Sequence, residues 1–263
     1  MNISFLVGMP RSGSTYFAKL LGTNSSVSIS KKVCPMPSYI DSIRMGFIDG
    51  NSTRDNMIFP TPKQTQNAFE TFVRGGIVAN CDSDSANIFK CREYMDHVDM
   101  MHSIFDRPKF IYLTRNLADV VHSIRKMMEK NTWKFNSKFA NGDMINYIVN
   151  ESFLNKYLSQ IQYDIDKMEK YHKNFMVIKY EDLCNDTQST LSKISNFLDI
   201  DSNFDFEKVD LTNYDLDSNY FFPISHDVYS KKIEYKKYDE IEFEFVDDIL
   251  RKNFNNFYTK FNY

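Results

Sequence analysis

The sequence contains no run of apolar residues that approaches the roughly 20 needed for a helix to cross a bilayer. Residues 1–5 also lack the basic region that opens a secretory signal, and they pass directly into a strand-like segment. We therefore predict a protein that does not associate with membranes and that works in the cytoplasm.

Cysteine is scarce and unpatterned. The chain has four cysteines, Cys34, Cys81, Cys91 and Cys184. They are scattered without the spacing of a disulfide framework, which predicts free thiols in a reducing compartment. A zinc site made from Cys81, Cys91 and nearby histidines would lack any C-x-x-C or H-x-x-x-H pair to anchor it. We predict no metal site.

An excess of positive charge is also missing. The formal net charge is -3, whereas a dedicated nucleic-acid-binding domain is normally basic, so we predict no nucleic-acid partner. Any site for an anion must be a local concentration of basic groups. The 263 residues, 42% of them hydrophobic, have the composition of a globular protein and predict a single domain over 1–263.

Short apolar runs predict the strands of a buried sheet. Three runs are nearly continuous, at residues 3–7, 110–114 and 175–179, and a weaker fourth lies at 86–90. Apolar side chains on both faces of a strand are typical of a parallel sheet that is covered on both sides.

Helical patterns alternate with these strands. They cover residues 15–21, 117–128, 187–198 and a long segment at about 143–171, and a further amphipathic stretch includes residues 69–74. Alternating strands and helices predict right-handed crossovers and an α/β fold with a doubly wound parallel sheet. We interpret residues 31–84 and 199–234, which are rich in Pro, Ser, Asn and Asp, as loop-rich excursions above the carboxyl ends of the strands, where ligands bind in open α/β sheets.

A glycine-containing loop follows the first predicted strand and precedes the first helix. After Gly8 and Met9 it reads Pro10, Arg11, Ser12, Gly13, Ser14 and Thr15. Backbone N–H groups and a helix N-terminus at such a turn form a site for phosphate. The spacing is that of a nucleotide P-loop, but Ser14 replaces the usual lysine, and the cation is Arg11 within the loop.

The next strong strand ends in Arg115 rather than in the carboxylate that a magnesium-dependent kinase needs. This favours an anion site that works without a metal. The glycine at position 13 predicts that the ligand approaches the backbone closely there, because a side chain at this position would obstruct the ligand.

The motif from Pro10 to Thr15 resembles the 5′-phosphosulfate loop of sulfotransferases that use 3′-phosphoadenylyl sulfate (PAPS), and it is most similar to the tyrosylprotein and carbohydrate branches. Arg115 and Ser123 resemble the family's 3′-phosphate motif. Tyr180, within Tyr-Glu-Asp-Leu after the 175–179 strand, is similar to a tyrosine near the nucleotide. Ser230 and Lys231 resemble a loop that closes over the nucleotide.

This resemblance implies an enzyme that transfers a sulfuryl group from PAPS to a hydroxyl or amine and releases adenosine 3′,5′-bisphosphate (PAP). It also implies that Lys90 contacts the sulfuryl group and that Arg11 stabilises the leaving phosphate. The acceptor is a tyrosyl peptide, a glycan or a small molecule, and a cluster of cations beside the site would suit an anionic one.

The sequence departs from the family at the general base. Lys32 stands where tyrosylprotein relatives carry a glutamate, and Arg92 stands where the small-molecule branch carries a histidine. Either Lys32 acts as a base with a lowered pKa, or it binds an anionic acceptor. Other carboxylates and imidazoles remain as alternative bases: Asp41, Glu70, Glu93 and His97. A PAPS-binding protein without activity and a nucleotide kinase are the other functions left open.

Overall fold

The computed structural model describes residues 2–29, 36–45, 61–130, 148, 153–209 and 240–263. The strands are β1 (Asn2–Gly8), β2 (Val27–Ile29), β3 (Ala86–Lys90), β4 (Lys109–Thr114) and β5 (Phe175–Lys179). The helices are α1 (Ser14–Leu21), α2 (Met36–Arg44), α3 (Pro62–Val78), α4 (Val98–Ile104), α5 (Leu117–Lys130), α6 (Phe153–Lys170), α7 (Tyr180–Asn185), α8 (Thr187–Leu198), α9 (Glu240–Asn253) and α10 (Asn255–Phe261). Short 3₁₀ turns lie at Arg92–His97, His172–Asn174 and Phe206–Lys208.

The strands form one sheet in the order β2-β3-β1-β4-β5, and every pair is parallel. The connection from β3 to β4 passes over β1, which lies in the middle. A crevice therefore opens at the carboxyl end of β1, which is where open α/β sheets bind their ligands. The predicted fold class is confirmed.

Alternate side chains of the central strand enter two separate hydrophobic cores. Phe5 packs with residues of α3, α5, α6, α9 and α10 on one face, and Leu6 packs with residues of α1 and α8 on the other. Both side chains are almost fully buried. Covering of both faces explains why the strands are apolar runs rather than alternating patterns.

The four predicted strands match β1, β3, β4 and β5. The edge strand β2 was not predicted, because three residues are too few for a periodic pattern. Within the segment 31–84, which we interpreted as loop-rich, the structure has α2 and α3, and the amphipathic stretch predicted at residues 69–74 lies in α3. Helix α3 begins at a cap in which Thr61 Oγ1 accepts from the Gln64 N–H, with Pro62 in the first turn, and its apolar face buries Phe69 and Val73.

The long helix predicted at 143–171 is α6 over Phe153–Lys170, and residues 131–147 lie outside the described residues. Of the predicted excursion at 199–234, the structure describes residues 199–209, which contain one 3₁₀ turn. Among the helices that the structure describes, none has the length and the apolar composition to span a membrane.

Candidate active site

The loop after β1 adopts a conformation that depends on two glycines. Gly8 has φ +123°, and a Cβ built on it would lie 2.2 Å from the carbonyl oxygen of Leu113 in the neighbouring strand. The N–H of Met9 donates to that same carbonyl at 2.9 Å. Gly13, at the N-terminus of α1, has φ +81°. Since side chains are strained at such angles, glycine at both positions shapes the turn.

Gly13 lies against a side chain from a distant part of the chain. A Cβ at this position would lie 2.6 Å from Cε2 of Tyr180, the first residue of α7. We predicted from the sequence that a ligand would approach the backbone closely at Gly13. On the side where a Cβ would lie, the Tyr180 ring occupies that space. The Arg115 guanidinium carbon lies 4.3 Å from the centre of the same ring, at cation–π distance.

Arg115 is buried immediately after β4. Its Nη1 donates to the carbonyl oxygen of Arg11 at 3.2 Å, and its Nε lies 4.0 Å from a carboxylate oxygen of Asp119, one turn along α5. Among the residues that the structure describes, none is hydrogen-bonded to the buried Arg115 Nε. A buried donor without an acceptor is costly, so this nitrogen is suited to a ligand oxygen.

The loop and α5 meet directly. Nε of Arg11, a residue with φ +61°, donates to Oγ of Ser123 at 3.0 Å. These residues are separated by 112 positions in the chain, and the sequence assigned them to different phosphates. The structure thus joins the two predicted phosphate motifs in one place at the carboxyl end of β1 and β4.

Lys90 ends β3 on the other side of β1 and is buried. Its Nζ donates to Oγ1 of Thr15 at 2.8 Å. Burial lowers the pKa of Lys90 to about 8, and the positive charges of Lys19 and Arg92 act in the same direction. The hydrogen bond to Thr15 places the Lys90 ammonium group at the start of α1. A bound anion beside it would raise the pKa of Lys90 toward its ordinary value.

The remaining loop residues have mixed surroundings. Ser12 is buried, and its hydroxyl donates to the Met9 carbonyl at 2.7 Å, so this side chain stabilises the turn itself. Pro10 is buried beside it, and Ser14 is half-buried at the first position of α1. Binding of a phosphate by Ser12 would therefore use its backbone N–H.

The alternative bases lie in different settings. His97 is buried, with Nε2 3.4 Å from Oδ1 of the exposed Asp41, and burial lowers the pKa of the imidazole despite that carboxylate. Glu93 accepts from the Cys91 thiol at 2.6 Å and lies 3.5 Å from Arg92. Glu93 is therefore already hydrogen-bonded, whereas Nε2 of His97 has no hydrogen-bond partner among the described residues.

Other predicted residues are not brought into this arrangement. Glu70 lies on α3 and accepts from the Gln66 amide at 2.7 Å on an exposed surface. The predictions for Lys32, Ser230 and Lys231 lie outside the described residues. Within the part of the chain that the structure describes, no group of three or more His, Cys, Asp or Glu side chains is arranged to hold a metal ion.

Sequence reasoning missed three participants. Lys19 on α1 lies near enough to Lys90 to lower its pKa, and its position one turn after Thr15 was the available signal. The other two are Glu181 and Tyr263. The Tyr263 hydroxyl donates a hydrogen bond to Glu181, and Glu181 also accepts one from the backbone N–H of Asn116, the residue after Arg115. Glu181 stands inside the Tyr-Glu-Asp-Leu motif, whereas Tyr263 carries no local signal.

Comparison with known proteins identifies the family. The profile of the Sulfotransferase family matches residues 4–205, which include most of β1, the loop after it, Lys90, Arg115, Ser123 and Tyr180. The chain belongs to the sulfotransferase family. Among curated protein sequences, no significant match was found.

Solved structures give the same fold. The sulfotransferase domain of the olefin synthase from Synechococcus PCC 7002 is similar with a TM-score of 0.50 and 17% identity, over 95% of this chain and 94% of that one. The sulfotransferase domain from the curacin biosynthetic pathway is similar with a TM-score of 0.50 and 15% identity, over 95% of this chain and 97% of that one. At these identities the likeness extends to the fold alone.

Proposed function

We propose that this sulfotransferase takes its sulfuryl group from PAPS and transfers it to a hydroxyl or amine, releasing PAP. The observation that carries the proposal is the 3.0 Å hydrogen bond between Arg11 and Ser123. It joins the loop suited to a 5′-phosphosulfate with the helix suited to a 3′-phosphate, as a nucleotide with both groups requires.

The residues divide between the two ends of the donor. Arg115 and Ser123 would bind the 3′-phosphate, since the Arg115 Nε is buried and has no hydrogen-bond partner among the described residues. The loop N–H groups and Arg11 would bind the 5′-phosphate, and the positive end of α1 adds to their attraction. The Tyr180 ring would support this site by packing against the Arg115 guanidinium.

In the transfer, the bond between sulfur and the bridging oxygen of the phosphate breaks, and a bond between sulfur and the acceptor atom forms. The bridging oxygen keeps the electron pair and leaves on PAP, while the acceptor gives up its proton to a base. Lys90 and Arg11 would stabilise the negative charge that develops on the sulfuryl and phosphate oxygens. Neither residue needs to move a proton for this.

The acceptor site is proposed to bind an anion. Lys90, Arg92 and Lys19 lie close enough for their charges to act on one another, and such a cluster favours an anionic tyrosyl peptide, glycan or small molecule. The motif from Pro10 to Thr15 supports a relation to the tyrosylprotein and carbohydrate branches. The free thiols of Cys81 and Cys184 support a reducing compartment such as the cytoplasm.

Calorimetric titration with PAP and with AMP tests the donor. We expect wild-type protein to bind PAP at least about tenfold more tightly, because charge-assisted bonds contribute roughly 1.5–3 kcal/mol each. Arg115→Ala should remove most of that preference. Arg107→Ala, which changes an exposed arginine before β4, is the matched control and should keep it.

Equal affinity of the wild-type protein for PAP and AMP would refute the assignment. A second assay, with labelled PAPS and panels of tyrosyl peptides, glycans, phenols and amines, tests transfer. Tight binding of PAP without acceptor-dependent release of PAP from PAPS would instead identify a PAPS-binding protein. That alternative has one observation in its favour: Arg92 stands where the small-molecule branch has its histidine base.

A further inference from the structure

One carboxylate links the nucleotide site to the far end of the chain. Glu181, in the first turn of α7, accepts from the backbone N–H of Asn116 through Oε1 at 2.9 Å. Its other oxygen, Oε2, accepts from the hydroxyl of Tyr263, also at 2.9 Å. Glu181 thus holds two segments that are separated from it by 65 and 82 positions.

The first of these segments carries the groups assigned to the 3′-phosphate. Asn116 directly follows Arg115, and its side-chain oxygen accepts from the Ala118 N–H at 2.9 Å, at the beginning of α5. The bond from Glu181 therefore fixes both the end of β4 and the start of the helix that bears Ser123. Tyr180, the residue before Glu181, packs against the Arg115 guanidinium.

The second segment is itself held in place. Arg251 Nη1 on α9 donates to the carbonyl oxygen of Tyr263 at 3.0 Å. The Lys179 ammonium lies 4.7 Å from the centre of the Tyr263 ring, and it donates to the carbonyl oxygen of Asn262 at 2.9 Å. These contacts leave the Tyr263 hydroxyl directed at Glu181, so the carboxylate has few other positions to adopt.

We propose that Glu181 is a positioning residue for recognition of a nucleotide 3′-phosphate, and that Tyr263 fixes Glu181 in the orientation this requires. The inference rests on the proposed function. Without Glu181, the Asn116 N–H loses its acceptor and Arg115 loses the fixed backbone from which its guanidinium reaches the phosphate. The consequence is a loss of discrimination for the 3′-phosphate rather than a general loss of nucleotide binding.

The experiment measures the ratio of the dissociation constants for AMP and PAP by calorimetry, with the melting temperature recorded for each variant. Glu181→Ala should lower the ratio at least about fivefold. Glu181→Gln should stay within about twofold of wild type, because its carbonyl oxygen still accepts from Asn116 and its amide donates to the Tyr263 oxygen. Tyr263→Phe, which removes the hydroxyl alone, should lower the ratio at least about twofold.

Asp182→Ala, which changes an exposed carboxylate in the same turn of α7, is the matched control and should leave the ratio unchanged. Melting temperature separates this role from a structural one, since general loosening would lower it without changing the ratio. If Glu181→Ala does not fold, Tyr263→Phe decides: an unchanged ratio in that variant overturns the proposal. A wild-type ratio near one would refute the proposed function itself, whereas a high wild-type ratio that persists in Glu181→Ala would refute only this inference.

Discussion

At the scale of single residues, the site depends on cations that are held in apolar surroundings. Lys90 and Arg115 are both buried at strand ends, and they flank the carboxyl end of β1 from the two neighbouring strands. Burial of a charge is unfavourable unless a partner compensates it. These positions are therefore suited to a ligand that supplies negative charge.

Protonation of Lys90 should be coupled to binding of the nucleotide. Because the pKa of the free protein's Lys90 is lowered to about 8, and a nearby 5′-phosphate would raise it, PAP binding at pH 8.5 should take up roughly half a proton or more. Calorimetry in buffers of different ionisation enthalpy measures this uptake.

Lys90→Met should abolish the proton uptake. Lys109→Met, which changes the lysine at the opposite end of the sheet, should retain it and serves as the control. Equal uptake by wild type and Lys90→Met would mean that another group takes up the proton. It would refute the assignment of Lys90 to the anion site.

At the scale of elements, the packing of α6 on the sheet includes a polar contact within an apolar core. The buried hydroxyl of Tyr112 on β4 donates to Oδ2 of Asp164 on α6 at 3.1 Å. Burial raises the pKa of Asp164 to about 7, and the nearby charge of Asp96 acts in the same direction. We therefore expect the docking of α6 on β4 to depend on pH.

The sign of this dependence follows from the two states. The pKa of Asp164 is higher in the folded protein than in the unfolded chain. The contribution of Asp164 to stability is therefore complete below about pH 4 and is lost as the pH rises through about 7. Asp164→Asn cannot ionise. Relative to wild type, it should gain stability between pH 5 and pH 8 by at least about 1 kcal/mol, a discounted value because the side chain is only half-buried.

Urea denaturation at the two pH values checks this expectation. Asp166→Asn, an exposed position on the same helix, is the control and should change the free energy of unfolding equally at pH 5 and pH 8. A difference between wild type and Asp164→Asn that is the same at both values would show that the carboxyl group does not titrate in this range.

At the scale of the whole molecule, the C-terminal helices complete the core on one face of the sheet. Phe257 of α10 is fully buried and stacks with the Tyr263 ring at 5.6 Å, and Phe261 stacks with Tyr112 on β4 at 5.8 Å. The family match ends at residue 205, yet these helices pack against the strands and helices that it covers. They are part of the same hydrophobic core.

Truncation of this core should be costly. Phe257→Ala should lower the free energy of unfolding by about 3–5 kcal/mol, the usual range for a buried phenylalanine. Thr259→Ala, which changes an exposed residue of the same helix, should alter it by less than about 0.5 kcal/mol. Chemical denaturation of both variants provides the comparison, and equal effects would mean that α10 is not docked on the sheet.

The sequence by itself determined the features that arise from neighbouring residues. The apolar runs of β1, β3, β4 and β5 appear in the sequence because strands buried on both faces need apolar side chains throughout. The loop after β1 can be recognised because its turn needs glycine at particular positions, and Arg115 can be recognised because it directly follows an apolar strand. Family, fold class and most of the candidate nucleotide site follow from such local patterns.

Only the tertiary structure decided which of these residues meet. The contact of Tyr180 with Gly13, the hydrogen bond from Arg11 to Ser123 and the link from Glu181 to Tyr263 each join segments far apart in the chain. Such contacts depend on strand order and on the direction in which each element leaves the sheet, which no local pattern encodes. Helix α2 and the beginning of α3 were not predicted for a related reason: polar residues on their exposed faces resemble a loop until the buried face is known.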